Sequence, residues 1–228
     1  MVRTKSYSVG FKVLISFFAL LGISLQMGLY KGSFDFGVFR MFTNISNLCC
    51  AIYFILAASC IAFDKKRDGG ASPCPLIKGV CTMSITLTGI VASAVIVGEF
   101  SFSTSTGIAT ILLHIVTPVM IMADWLIFDI KGRYRVFFPL IWLSSPFAYF
   151  IYIMVTAQFM EKGARMRFPY PFLDYEILGI PALITVVAVI TVIYALIGFL
   201  CYLIDKKMSY LEKAPQMIKC LSTSRRSL

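Results

Sequence analysis

Thr43, Ser46 and Asn47 stand at i, i+3 and i+4 within "MFTNISNL", residues 41–48. On a helix they share one face, and Asn44 turns about a quarter circle away. Two hydroxyls and a carboxamide so placed can supply a nucleophile and a hydrogen-bond donor for an oxyanion. A hydroxyl nucleophile needs a base. The chain has a single histidine, His114, inside "TILLHIVTPVMIMADWLIF", and neutral imidazole is the usual base for a hydroxyl. One reading therefore makes Thr43 the nucleophile and His114 the base, with Asn47 and Ser46 as oxyanion and supporting groups. The other reading is interhelical glue, since Ser, Thr and Asn routinely hydrogen-bond between membrane helices.

The two candidate residues sit in segments that must cross a bilayer. The chain is 59% hydrophobic and 14% charged, with mean hydropathy +0.85, whereas soluble domains carry about 25% charged residues. Apolar runs at roughly 11–30, 39–63, 79–98, 107–130, 136–158 and 177–204 are each long enough to span the hydrocarbon core. The first is read as a span and not a signal peptide, because "QMGLYKG" follows it without a small-x-small cleavage site. Six spans put both termini on one side, together with fifteen Lys and Arg residues against five on the other. By the positive-inside rule that side is cytoplasmic. The expected architecture is an all-α, polytopic six-transmembrane-helix bundle, an integral multi-pass membrane protein. Residues 1–207 form one domain and 208–228 a basic cytoplasmic tail. The net charge of +10 then faces an anionic leaflet and not nucleic acid.

Depth brings the two polar residues together. With the fourth helix starting near Gly107, His114 lies ~10 Å below the outer surface. With the second starting near Phe39, Thr43 lies ~6 Å below it. An ionisable group at such depth normally faces the bundle interior. The expected approach of the Thr43 hydroxyl to the His114 ring is about 3–5 Å, beside a cavity open to the lipid or the outer leaflet.

Other residues take expected roles around this pair. Arg40, one turn above Thr43, and Lys162, Arg165 and Arg167 in the outer loop can bind a substrate carboxylate or snorkel at the interface. Asp124 follows His114 by ten residues, ~15 Å along the helix axis. That is too far to orient the ring, so pairing with Lys131 or Arg133 is expected instead. Asp35, Glu99, Asp174 and Tyr149 are the candidates to orient the imidazole. Trp125 and Trp142 are expected as interfacial anchors. Seven dispersed cysteines without a CxxC, and one histidine, call for neither a metal nor a cofactor.

"FRMFTNISNL", then "LHIVTPVMIMADW", then "FPYPFLD" resemble the androgen-induced and androgen-dependent membrane hydrolases and their microbial six-helix relatives. The resemblance runs through all six helices in order. It implies a threonine hydrolase acting on fatty-acid esters of hydroxy fatty acids, with Thr43 and His114 at the catalytic positions. It also places "YPFLD", with Tyr170 and Asp174, at a loop motif expected to bind substrate, and Asp124 where the hydrolases carry an acid. The expected partners are the membrane and a lipid or fatty-acid ester. The alternatives are a non-catalytic lipid-binding or transport protein with a polar pocket at the same residues, and a structural or regulatory subunit.

Overall fold

The computed structural model describes residues 4–70, 72–95 and 101–224. Among them are helices and turns, with no strand. Six helices are long and apolar enough to cross a membrane: Lys5–Met27, Phe42–Phe63, Pro75–Ala92, Ser105–Ile127, Phe138–Ala157 and Ile180–Lys213. The protein is thus an integral, multi-pass membrane protein built as a six-helix bundle. The helix of the sixth span runs from Ile180 to Ser224 and crosses the expected boundary at 207/208 without a break. Arg3, Glu99, Arg225 and Arg226 lie outside the described residues.

Lipid offers no hydrophobic drive for helices to associate, so close approach depends on small residues and hydrogen bonds. The first span buries Ser8, Ser16, Ala19 and Gly22 along one stripe. Ser16 Oγ donates to Ala51 O of the second span at 2.9 Å. A Cβ at Gly22 would stand 2.7 Å from the Leu113 side chain, so glycine there lets the fourth span settle against the first. The first span ends where Gly28 takes a left-handed conformation (φ 79°) and its N–H caps Leu25 O and Ser24 O.

At the end of the bundle bearing the termini, the pairing differs from the expected one. Asp124 pairs with Lys12 at 2.8 Å and with Lys78, not with Lys131 or Arg133. Lys78 also reaches Asp129 at 2.8 Å, Ser72 Oγ donates to Asp129 at 2.7 Å, and Lys12 donates to Ser8 Oγ at 3.0 Å. Lys12, Lys78 and Asp124 are all 1% exposed or less. Two ammonium groups thus neutralise two carboxylates across the first, third and fourth spans and the adjoining loop. Lys131 instead donates to Trp125 O and lies 4.4 Å over the Trp125 ring, while Arg133 donates to Ser72 O at 2.7 Å.

The tryptophans are also corrected. Neither Trp125 nor Trp142 reaches an interface; both are buried. The chain after Lys131 folds back under the bundle, where Tyr134 N–H donates to Asp205 at 3.1 Å. That places the Tyr134 ring against both indoles, 6.1 Å from Trp125 and 5.0 Å from Trp142.

One expected result follows from this end of the molecule, and another from the opposite end. Burial of the Lys131 ammonium lowers its pKa from 10.5 to about 8, against partial support from Asp129 and Asp205. The unfolded chain therefore holds this proton more tightly, so the penalty is full below pH 8 and is relieved between about 8 and about 10.5. Unfolding midpoints of purified protein are expected to rise across that window, and Lys131→Met to flatten the rise. An equal slope in the variant overturns the assignment. The basic-residue asymmetry predicts that residues 161–176 face away from the cytoplasm. An Arg165→Cys probe is expected to react with an impermeant thiol reagent from that side, and labelling only from the cytoplasm rejects the orientation.

Candidate functional site

Local sequence explains how Thr43 and His114 are presented. The chain reaches the second span through a 3₁₀ turn, Phe36–Arg40, capped by Asp35 accepting from Gly37 N at 2.8 Å. Asn44 Nδ2 donates to Val38 O at 2.8 Å and fixes that turn against the helix start. Met41 is the N-cap and contributes no side-chain acceptor. The Asn44 and Ile45 N–H groups turn back to Met41 O at 3.2 and 3.3 Å, while the Thr43 N–H has no carbonyl within the helix to reach. The Tyr170 hydroxyl takes up this position, 3.5 Å from Thr43 N.

The fourth span is not a uniform α-helix. Leu112–Val116 winds as a π-turn. Pro118 explains it: proline has no N–H for the His114 carbonyl four residues back, and its ring would strike that oxygen. The Thr117 N–H goes to Leu112 O, where α-helical spacing would send it to Leu113 O. Leu113 O is then taken by Asn47 Nδ2 at 3.2 Å. Gly89 of the third span permits the close fit, since a Cβ there would stand 3.3 Å from Pro118 and 3.4 Å from His114 O.

The resulting geometry brings Thr43 Oγ1 to 3.1 Å from His114 Nε2. His114 Nδ1 lies 3.0 Å from Thr110 O. A carbonyl only accepts, so Nδ1 carries the hydrogen and Nε2 presents its lone pair to the threonine hydroxyl. The orienting group is thus a backbone carbonyl one turn back in the same helix. Sequence reasoning sought a side chain and passed over it, although an i−4 carbonyl is present for every helical histidine. Of the expected orienters, Asp35 caps its own turn, Tyr149 donates to Arg40 O at 2.8 Å, and Glu99 lies outside the described residues.

The other expected site residues take different positions. Asn47 sends Nδ2 to Thr43 O at 2.8 Å and to Leu113 O. Its donors are spent on backbone carbonyls, which removes it as the oxyanion donor and makes it a pin beneath Thr43. Ser46 Oγ lies 3.1 Å from Thr43 O and 3.0 Å from Thr88 Oγ1, a supporting role. Arg40 is no carboxylate receptor: its guanidinium binds Met166 O at 2.5 Å, Thr156 Oγ1 at 2.9 Å and Arg167 O at 3.0 Å. It clamps the loop that carries Tyr170. Arg167 is held by Ala157 O and Glu176. Asp174 caps the short helix Tyr175–Leu178 by accepting from Glu176 N at 3.0 Å and Ile177 N at 3.4 Å, so it holds the loop's shape and is absent from the cavity wall.

Tyr170 does reach the site. Its hydroxyl lies 3.4 Å from Thr43 Oγ1. Burial pushes its pKa up, partly offset by the hydrogen bonds to Thr43, so the phenol stays protonated and can donate. Thr43, His114 and Tyr170 together line a cavity of about 450 Å³, within the size range of small-molecule sites. The rest of its wall is mainly apolar and aromatic, including Leu87, Phe147, Phe150 and Ile190, with Thr88, Ser144 and Thr191 as further hydroxyl residues. Among the described residues no cluster of His, Cys, Asp or Glu could hold a metal ion.

Compared with known proteins, the chain matches no family model, no curated protein and no solved structure.

Proposed function

We propose that this protein hydrolyses a lipid ester within the membrane, with Thr43 as nucleophile and His114 as base. The observation that carries the reading is the 3.1 Å contact from Thr43 Oγ1 to His114 Nε2, with the far ring nitrogen tied to Thr110 O, at the wall of an apolar cavity. Thr43 Oγ1 attacks the ester carbonyl as its proton passes to His114 Nε2. The tetrahedral oxyanion is met by the Tyr170 O–H, at the positive N-terminal end of the second span. The carbonyl–alkoxy bond then breaks and His114 gives its proton to the departing alcohol. Water, deprotonated by His114, attacks the acyl-threonine; the proton returns to Thr43 Oγ1 and a fatty acid is released. The resemblance of "FRMFTNISNL", "LHIVTPVMIMADW" and "FPYPFLD" to the androgen-induced and androgen-dependent hydrolases points the same way, with fatty-acid esters of hydroxy fatty acids as one substrate class.

The test is a phosphonate probe that reacts with activated hydroxyl nucleophiles. An adduct is expected on the peptide containing Thr43, and its formation is expected to fail in His114→Ala. Tyr170→Phe is expected to lower ester turnover by about 10²–10³-fold, the usual cost of one oxyanion donor. Unchanged turnover in that variant removes Tyr170 from the role. A second reading, lipid binding without turnover, is favoured by Ser46 and Asn47 making bonds to backbone and helix neighbours only. A cavity that binds lipid while Thr43 stays unmodified selects it.

A further inference from the structure

The cavity's walls specify more than its chemistry at one end. From Thr43, His114 and Tyr170 it continues along the fifth span to Leu140 and along the sixth past Val187 and Thr191 to Tyr194. Leu140 and Tyr149 both line it, and the nine residue steps from one to the other correspond to ~14 Å of helix. Leu140 is 57% exposed, Phe147 61% and Ile141 39%, and all three also line the cavity. They share the flank between the fifth and sixth spans with Thr191, itself exposed. The same side chains thus face the cavity and the outside of the bundle, at a level where the outside is hydrocarbon.

Charge is the second observation. None of the described residues lining the cavity is a lysine, an arginine, an aspartate or a glutamate. The nearest basic group by sequence, Arg40, spends its guanidinium on Met166 O and Arg167 O of the outer loop and on Thr156 Oγ1 of the fifth span. An anionic carboxylate carried along these walls towards Leu140 would meet no ammonium or guanidinium group, and such burial is strongly unfavourable.

Resting on the proposed function for the identity of the reacting end, we infer that the cavity takes the uncharged hydrocarbon acyl chain of an ester. The chain enters sideways from the bilayer between the fifth and sixth spans. The ester carbonyl stops at Thr43, and the acyl tail lies towards Leu140. Any carboxylate belonging to the alcohol portion stays outside the cavity. Hydrolysis itself then drives release, because the product is a fatty-acid carboxylate that the walls do not stabilise.

Photo-crosslinking separates these claims from the hydrolase reading. The full chain in lipid nanodiscs is exposed to two probes with the same diazirine-bearing long acyl chain, one a methyl ester and one the free acid at pH 8. The methyl ester is expected to label peptides containing Leu140–Phe150 and Val187–Tyr194, at least tenfold more than the free acid. Leu140→Trp is expected to lower the ratio of long-chain to short-chain methyl-ester labelling at least tenfold. Thr191→Trp, at the exposed mouth, is expected to reduce long-chain labelling as well; both positions are exposed, and the unfolding midpoint of each variant is expected to match that of the parent. Equal labelling by the free acid overturns the charge selection. Label confined to other faces, or a ratio unmoved by both tryptophans, overturns the route. If the labelling pattern holds but no phosphonate adduct forms at Thr43, the cavity assignment stands and the hydrolase reading falls.

Discussion

Thr43→Ala and His114→Ala are each expected to lower ester turnover by orders of magnitude, and the double variant is expected to be little worse than either. In the proposed hydrolysis the hydroxyl and the imidazole, 3.1 Å apart, act as one unit, so losses of the two do not add. Thr43→Ser keeps the hydroxyl and is expected to retain part of the activity. The fold is expected to survive Thr43→Ala, because an interhelical hydrogen bond in a membrane is worth on average about 0.6 kcal/mol. Turnover and unfolding midpoint, measured on the same purified sample, keep a lost nucleophile distinct from a lost fold. Full hydrolysis by well-folded Thr43→Ala protein would end the nucleophile assignment and leave lipid binding as the better account.

Asp124→Ala is expected to do the opposite: large damage to stability, at the far end of the bundle from the reacting pair. Asp124 is fully buried between the ammonium groups of Lys12 and Lys78. Removing one partner from a buried ion pair typically costs about 3–5 kcal/mol, because the remaining charge is stranded. Lys78 keeps Asp129 at 2.8 Å, so the stranded group is Lys12, left with Ser8 Oγ at 3.0 Å. Repeating Asp124→Ala in a Lys12→Met background is therefore expected to cost markedly less, since methionine fills the space without a charge. Equal costs in both backgrounds would show that Lys12 and Asp124 are not coupled. The contrast between the two experiments is useful, as one isolates chemistry and the other isolates assembly.

The sequence by itself determined the class and the number of spans. Long apolar runs separated by charges leave few structures other than a helical bundle in lipid, because backbone polar groups there must be satisfied within each segment. It also determined which residues had the chemistry to react: one histidine, and a hydroxyl at matching depth on another span. Period and depth are properties of a helix considered alone, so they can be read from residues in order.

What the tertiary structure decided was which donor faces which acceptor. Asn47 lies on the right face, yet its amide is claimed by Leu113 O, a carbonyl released by the π-turn that Pro118 forces. Arg40 sits one turn above Thr43, yet a loop more than a hundred residues later supplies the carbonyls that hold its guanidinium. Asp124 has nearby basic residues in sequence, yet its partners come from the first and third spans. Tyr170 reaches the start of the second span only because that loop folds over it. In each case a short polar group has several partners within reach along the chain. Desolvation in the packed bundle selects the arrangement that leaves the fewest charges and donors unpaired, and that choice depends on all six helices at once.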